Sequence, residues 1–239
     1  MGLYFNPNNK KFIKDISSSI YVDKTGLIEK LNKILCTNDN CIAVSHARRF
    51  GKSQAANLIE AYYSVGCDSK DIFSKYELAQ ADDFEKHLNK YNVIHIDVSS
   101  FSDYAGADVV ESIIHALIDD FQDSFPYIEY DVPLHRIIYK IYQRTKNRFV
   151  IIVDEWDCVI RNYEDQPELV HKYMQFLHSL FKSMEATEFL ALGYVTGILP
   201  IKKINDESAL NNFRERTMMD SKNIARYYGF TEEEVKVLC

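Results

Sequence analysis

CIAVSHARRFGKSQAANLIEAYY, Cys41 to Tyr63, decides the fold. The apolar run Cys41 to Val44 reads as a buried strand and enters a basic turn ending in Gly51-Lys52-Ser53. Ala55, Ala56, Leu58, Ile59 and Tyr62 then recur at helical spacing. Strand, turn and helix in that order are the setting a phosphate-binding loop needs. The helix start offers unpaired N–H groups and the positive end of its dipole to an anion. Gly51 lets the backbone come close to that anion. Lys52 can reach the outer phosphates, and the Ser53 hydroxyl can join the shell of a magnesium ion. The full pattern G-x-x-x-x-G-K-[ST] asks for glycine at position 46, where this chain has His46. Gly-Lys-Ser alone is equally compatible with an ordinary helix start.

A second stretch answers the first. FVIIVDEWD, Phe149 to Asp157, is an apolar run of buried-strand type that ends in Asp154-Glu155. Burial disfavours both charges, so adjacent carboxylates at that place need a cation or a reaction to justify them. In nucleotide hydrolases the first acid of such a pair holds magnesium and the second polarises the attacking water. The plain alternative is a strand that leaves the core into an acidic, solvated loop. The two motifs together favour the chemical reading, because each explains the other.

At these residues the chain resembles the AAA-ATPase-like family of bacterial and archaeal proteins, members of which often carry a C-terminal nuclease-like domain of the PD-(D/E)xK type. YVDKTGLIEKL (Tyr21 to Leu31) resembles its N-terminal Y-V-D-K-T signature. ARRFGKS (Ala47 to Ser53) resembles its P-R-R-F-G-K-S loop, which also lacks the first glycine. IIVDEWD (Ile151 to Asp157) resembles its D-E-Y-D motif. VTGILPI (Val195 to Ile201), LNN (Leu210 to Asn212) and YGFTEEEV (Tyr228 to Val235) resemble its late segments. Ala47 stands in place of proline, His46 in place of arginine and Trp156 in place of tyrosine. The resemblance implies an α/β, three-layer P-loop NTPase of the ASCE/AAA-like type, with a mainly parallel central sheet flanked by helices. It implies ATP and Mg2+ as ligands, with adenine favoured over guanine. Residues 1–20 form an N-terminal lead, 21–227 the ATPase-like core, and 228–239 the start of a truncated C-terminal lid. No nuclease activity is expected.

The candidate residues follow. Glu155 orients and polarises water, Lys52 meets the phosphates, and Thr196, at the end of a neighbouring strand, senses the γ-phosphate or merely caps the turn before Gly197. Arg48, Arg49, Phe50, Gly51, Lys52, Ser53 and Gln54 cradle the nucleotide, and Tyr21 and Asp23 lie towards its base or ribose. Ser53 and Asp154 hold magnesium.

Composition agrees with one α/β domain. A chain of 239 residues buries a large core without disulfides. No apolar run approaches a membrane-spanning length, and the start lacks the apolar core of a signal peptide. Five cysteines, without tight pairing or a second close pair for zinc, read as reduced thiols in the cytoplasm. The net charge of −7 does not support broad nucleic-acid binding. Arg214 and Arg216 read equally well as outward residues of an edge strand. His95 reads as a core residue. His171 and His178 lie two turns apart on one helix, too far apart to share a metal. His46 reads as a phosphate contact or a surface-facing turn residue. Sixteen tyrosines and fourteen phenylalanines suggest exposed aromatic patches.

The remaining pattern predicts a helix within 20–34 capped by Asp23 or Thr25, and helices over 84–90, 108–120, 133–146 and 168–184. It predicts strands over 92–99, 189–196 and 212–219. Helices between strands imply parallel crossovers, with the ligand at the strands' carboxyl ends, where Ser45, Asp154 and Thr196 fall. The function expected is Mg-dependent ATP binding with slow hydrolysis coupled to conformational change, accelerated by self-association or a protein partner. The alternative is a nucleotide-gated or nucleotide-independent interaction module with little or no turnover.

Overall fold

The computed structural model describes residues 2–102, 108–201, 210–217 and 222–238. Five strands, β1 (Cys41–Ser45), β2 (Asn92–Asp97), β3 (Phe149–Asp154), β4 (Leu190–Gly197) and β5 (Arg214–Thr217), form one sheet in the order β2-β3-β4-β1-β5. Every pairing in it is parallel. Parallel neighbours need crossovers, and helices supply them on both faces. In chain order these are α1 (Lys10–Ile16), α2 (Gly26–Asn32), α3 (Lys52–Tyr63), α4 (Lys70–Phe73), α5 (Phe84–His87), α6 (Ser99–Ser102), α7 (Val109–Ser124), α8 (Leu134–Thr145), α9 (Cys158–Asn162), α10 (Pro167–Lys182), α11 (Met184–Phe189) and α12 (Glu232–Leu238). No helix among the described residues is long and apolar enough to cross a membrane.

β1 to β4 are mostly apolar and almost wholly buried because both faces of the sheet are covered there, whereas edge strand β5 is polar and partly exposed. Phe149, Ile151 and Val153 of β3 pack with α7, α8 and α10 on one side. Val150 and Ile152 pack with α2 and α3 on the other. β1 alternates likewise, with Cys41 and Ala43 on the first side and Ile42 and Val44 on the second. Register aligns the strand ends. Ser45 lies opposite Gly197, Val44 opposite Thr196, and Asp97 opposite Asp154. The carboxyl ends of β1, β3 and β4 therefore form one ledge.

Several expectations change. Neither Asp23 nor Thr25 caps α2 through its side chain. Asp23 instead accepts from the backbone of Thr25 and Glu77, and Thr25 Oγ1 accepts from Leu78. Both serve the 3-10 turn Glu77–Gln80, a contact that local sequence does not reveal. Pro133 stands just before α8 rather than in its first turn. The helix expected to run to Met184 stops at Lys182, because Ser183 is extended and caps the new helix α11 by accepting from Ala186 N. The strand expected over 212–219 begins at Arg214, and its expected end at Met218 and Met219 lies outside the described residues. The aromatic residues mostly fill the core. Tyr62, Tyr63, Tyr173, Tyr194, Phe73, Phe121, Phe149 and Phe189 are fully buried, whereas Tyr127 and Phe230 are the large aromatics exposed among the described residues. Segment 2–16, read as a lead, joins the fold. Asn6 N donates to Val93 O and His95 N to Tyr4 O along the edge of β2, and Phe5 and Phe12 are core residues. This covers a sheet edge that would otherwise offer unpaired backbone groups.

Candidate functional site

β1 ends at Ser45 and α3 begins at Lys52, so residues 46–51 form the turn between them. Gly51 is the N-cap of α3 with φ 73°, a left-handed conformation that a side chain disfavours. Arg49 also has positive φ, 69°, where a Cβ is costly, so the loop is held in a strained shape. No side chain caps α3. Its first turn, Lys52 to Gln54, lines a cavity, and the N–H groups of a first turn have no intrahelical acceptor, as an anion site requires. Lys52 is almost wholly buried and bends back over the loop. Its Nζ donates to His46 O and Ala47 O at 3.1 Å each and lies 3.8 Å from Glu155 Oε1.

Asp154 closes β3 and is buried. Its Oδ1 accepts from the Thr196 hydroxyl and from Glu155 N. Glu155, directly after the strand, has φ 51°, the same left-handed region as Arg49 across the site. That carboxylate sits between two cations, Lys52 at Oε1 and Arg161 Nη2 at 3.1 Å from Oε2. Burial raises its pKa above the ordinary carboxylate range; Asp154 and Asp157 push the same way, while Lys52 and Arg161 oppose them. Asp157 is fully buried. Its oxygens accept from Ile198 N at 3.2 Å, Leu199 N at 3.0 Å and Arg161 Nε at 2.8 Å.

These groups surround a cavity of about 640 Å³ lined by Arg48, Arg49, Gly51, Lys52, Ser53, Gln54, Ser99, Glu155, Cys158, Arg161 and Asn162. A second, largely apolar cavity meets it at Arg49, Gly51 and Gln54, with Phe12, Ile20, Tyr21, Leu58, Tyr227 and Phe230 among its walls. Of the residues expected from sequence, the loop members Arg48, Arg49 and Gly51 to Gln54 share the first cavity with Glu155, and Tyr21 lines the second. Asp154 and Thr196 lie beneath the first, joined to each other. Asp23 lines neither, although Val22 and Lys24 beside it line the second, and its carboxylate is committed to backbone N–H groups. Phe50 turns its ring to Gly229, and its carbonyl accepts from Gly229 N at 3.0 Å.

His46 is not a surface-facing turn residue. It is buried, its ring stacks on Tyr228 at 5.1 Å, and neither ring nitrogen finds a partner among the described residues. Burial, and secondarily Lys52, lowers its pKa and keeps it neutral. Arg214 and Arg216 lie on edge strand β5, where Arg214 pairs with Asp39. His95 is the core residue expected, paired with Glu60 of α3. Sequence reasoning missed Arg161 and Asn162. The signal was present, since Arg161 follows Asp157 by four residues, the spacing at which helical side chains meet.

Ser53 and Asp154 fit magnesium in donor chemistry, because both offer hard oxygens. No group of three or more metal-ligating side chains occurs among the described residues, so such an ion would complete its shell with phosphate and water oxygens, as magnesium commonly does.

The family model described as predicted AAA-ATPase matches residues 9–205, and the chain belongs to this AAA-ATPase-like family. No curated protein matches the sequence. Among solved structures, the Aeropyrum pernix ORC2 protein in its ADPNP-ADP complexes is similar with a TM-score of 0.44 at 11% identity. The similarity covers 98% of this chain and 55% of that one, so the chain spans little more than half of that protein's length.

Proposed function

We propose that this member of the AAA-ATPase-like family binds ATP with magnesium in the larger cavity and hydrolyses it slowly. One observation carries the reading: Lys52, at the start of an uncapped helix, faces Glu155 across 3.8 Å inside the same cavity. At that separation the two still touch as an ion pair, so a terminal phosphate and its attacking water take their places between them as the pair opens. The phosphates take the N–H groups that begin α3, and Lys52 gives up its bonds to His46 O and Ala47 O for theirs. The Ser53 hydroxyl and the Asp154 carboxylate would hold magnesium, which would neutralise phosphate charge. Thr196 fixes Asp154 through its hydroxyl, which makes it a support for the magnesium ligand rather than a direct sensor of phosphate. The ribose and base extend past Gln54 towards Tyr21 and the apolar walls of the second cavity.

Before nucleotide binds, Glu155 is engaged by two cations and is a weaker base while they hold it. Those ion pairs also favour a second reading, a nucleotide-gated module with little turnover. Phosphate release from the parent separates the two. For binding itself, Lys52→Ala is expected to weaken Mg-ATP affinity at least about tenfold, or ~1.4 kcal/mol, because the phosphates lose their central cation. Isothermal titration of parent and variant reads this directly. Equal affinities would remove the loop from the account.

A further inference from the structure

We propose that Arg161 is a positioning residue that exchanges partners, releasing Glu155 to bind the terminal phosphate of a nucleoside triphosphate in the same cavity. The inference rests on the nucleotide reading above and adds how the site tells a triphosphate from a diphosphate. Arg161 is anchored at one edge and available at the other. Its Nε donates to Asp157 Oδ2 at 2.8 Å, and Asp157 is itself fixed by Ile198 N and Leu199 N. Its Nη2 donates to Glu155 at 3.1 Å, and both side chains are 22% exposed on the cavity wall. The planar guanidinium can keep the Asp157 bond while its outer edge turns to another acceptor.

Charge decides which acceptor wins. A terminal phosphate carries more negative charge than one carboxylate and offers several oxygens to the guanidinium edge. Lys52, the other cation at Glu155, lines the same cavity and is drawn the same way. The charged groups around Glu155 are then Lys52 on α3, Asp154 on β3, and Asp157 and Arg161 at the start and in the body of α9. Turning Arg161 to the phosphate breaks its bond to Glu155 and frees that carboxylate's Oε2. A diphosphate lacks the terminal group, so Arg161 stays with Glu155. Arg161 thereby couples triphosphate recognition to freeing Glu155 from its ion pair.

The test is titration of Mg-ATP and of Mg-ADP into the parent, Arg161→Gln and Arg161→Lys. Arg161→Gln is expected to lose at least about fivefold in ATP affinity while ADP affinity stays within about twofold. Arg161→Lys keeps a cation beside Asp157 but cannot bridge Asp157 and phosphate together, so its ATP-to-ADP preference should fall between those of the parent and Arg161→Gln. Equal losses for both nucleotides, or parental preference in either variant, overturn the proposal. Should the glutamine variant fail to fold, the lysine variant decides alone. A parent that binds neither nucleotide overturns the nucleotide reading and this inference with it. A parent that binds both, with variants of unchanged preference, overturns only the inference.

Discussion

Glu155→Gln is expected to lower phosphate release by at least about a hundredfold while leaving Mg-ATP affinity within about threefold, since the amide keeps the shape and loses the base. The same variant should be more stable than the parent near neutral pH. Burial raises the pKa of Glu155 in the folded protein above that of the unfolded chain. The folded state therefore holds this proton more tightly, and stability is lost as pH rises through the window between the two values. Above that window the ionised carboxylate is a standing cost that glutamine removes. The variant's melting temperature should exceed the parent's at about pH 7, and the gap should close as pH falls below the ordinary carboxylate range. Calorimetric scans across that range, beside steady-state phosphate release, measure both effects. Identical release rates would show that another group is the base. A variant that melts lower at neutral pH would show that the pairs with Lys52 and Arg161 outweigh burial.

Trp156→Ala is expected to destabilise the fold by about 3–5 kcal/mol, the range for deleting a buried large aromatic. Trp156 is wholly buried directly after Glu155 and packs against Gly197 so closely that a Cβ there would come within 2.7 Å of the indole. Its backbone is tied on both sides, with its N–H donating to Thr196 O and its carbonyl accepting from the Tyr173 hydroxyl. Removing the ring opens a cavity under Glu155 and Asp157, so the loss should reach nucleotide affinity as well as stability. Chemical denaturation followed by far-ultraviolet circular dichroism gives the number. A loss below about 1 kcal/mol would mean that α10 and β4 close over the gap. The substitution of tryptophan for the family's tyrosine therefore sits in the core as a packing change, not at the phosphates.

What could be read from the chain was what local pattern encodes. Cys41 to Tyr63 carries its strand, turn and helix in consecutive residues, and β3 announces itself by an apolar run ended by two acids. Both faces of these strands are buried, so the run itself is the signal. The features that escaped depend on distant partners. His46 is buried because Tyr228 stacks on it, and Asp23 is bound because Glu77 lies beside it. Arg161 follows Asp157 at helical spacing, but that Asp157 is itself locked by the backbone after β4 is a contact no local pattern encodes. Aromatic richness was misleading for a similar reason: composition counts rings but does not say which face they cover.

Amide hydrogen exchange across residues 47–55, measured with and without saturating Mg-ATP, tests the central claim most directly. The N–H groups that begin α3 lack a capping side chain, so phosphate oxygens are their natural acceptors. The account predicts that nucleotide slows exchange in this segment by at least about tenfold, with a smaller effect around Tyr21 and none on the edge strand β5. Binding of ATP with protection confined to other segments, or no binding of ATP, would contradict it.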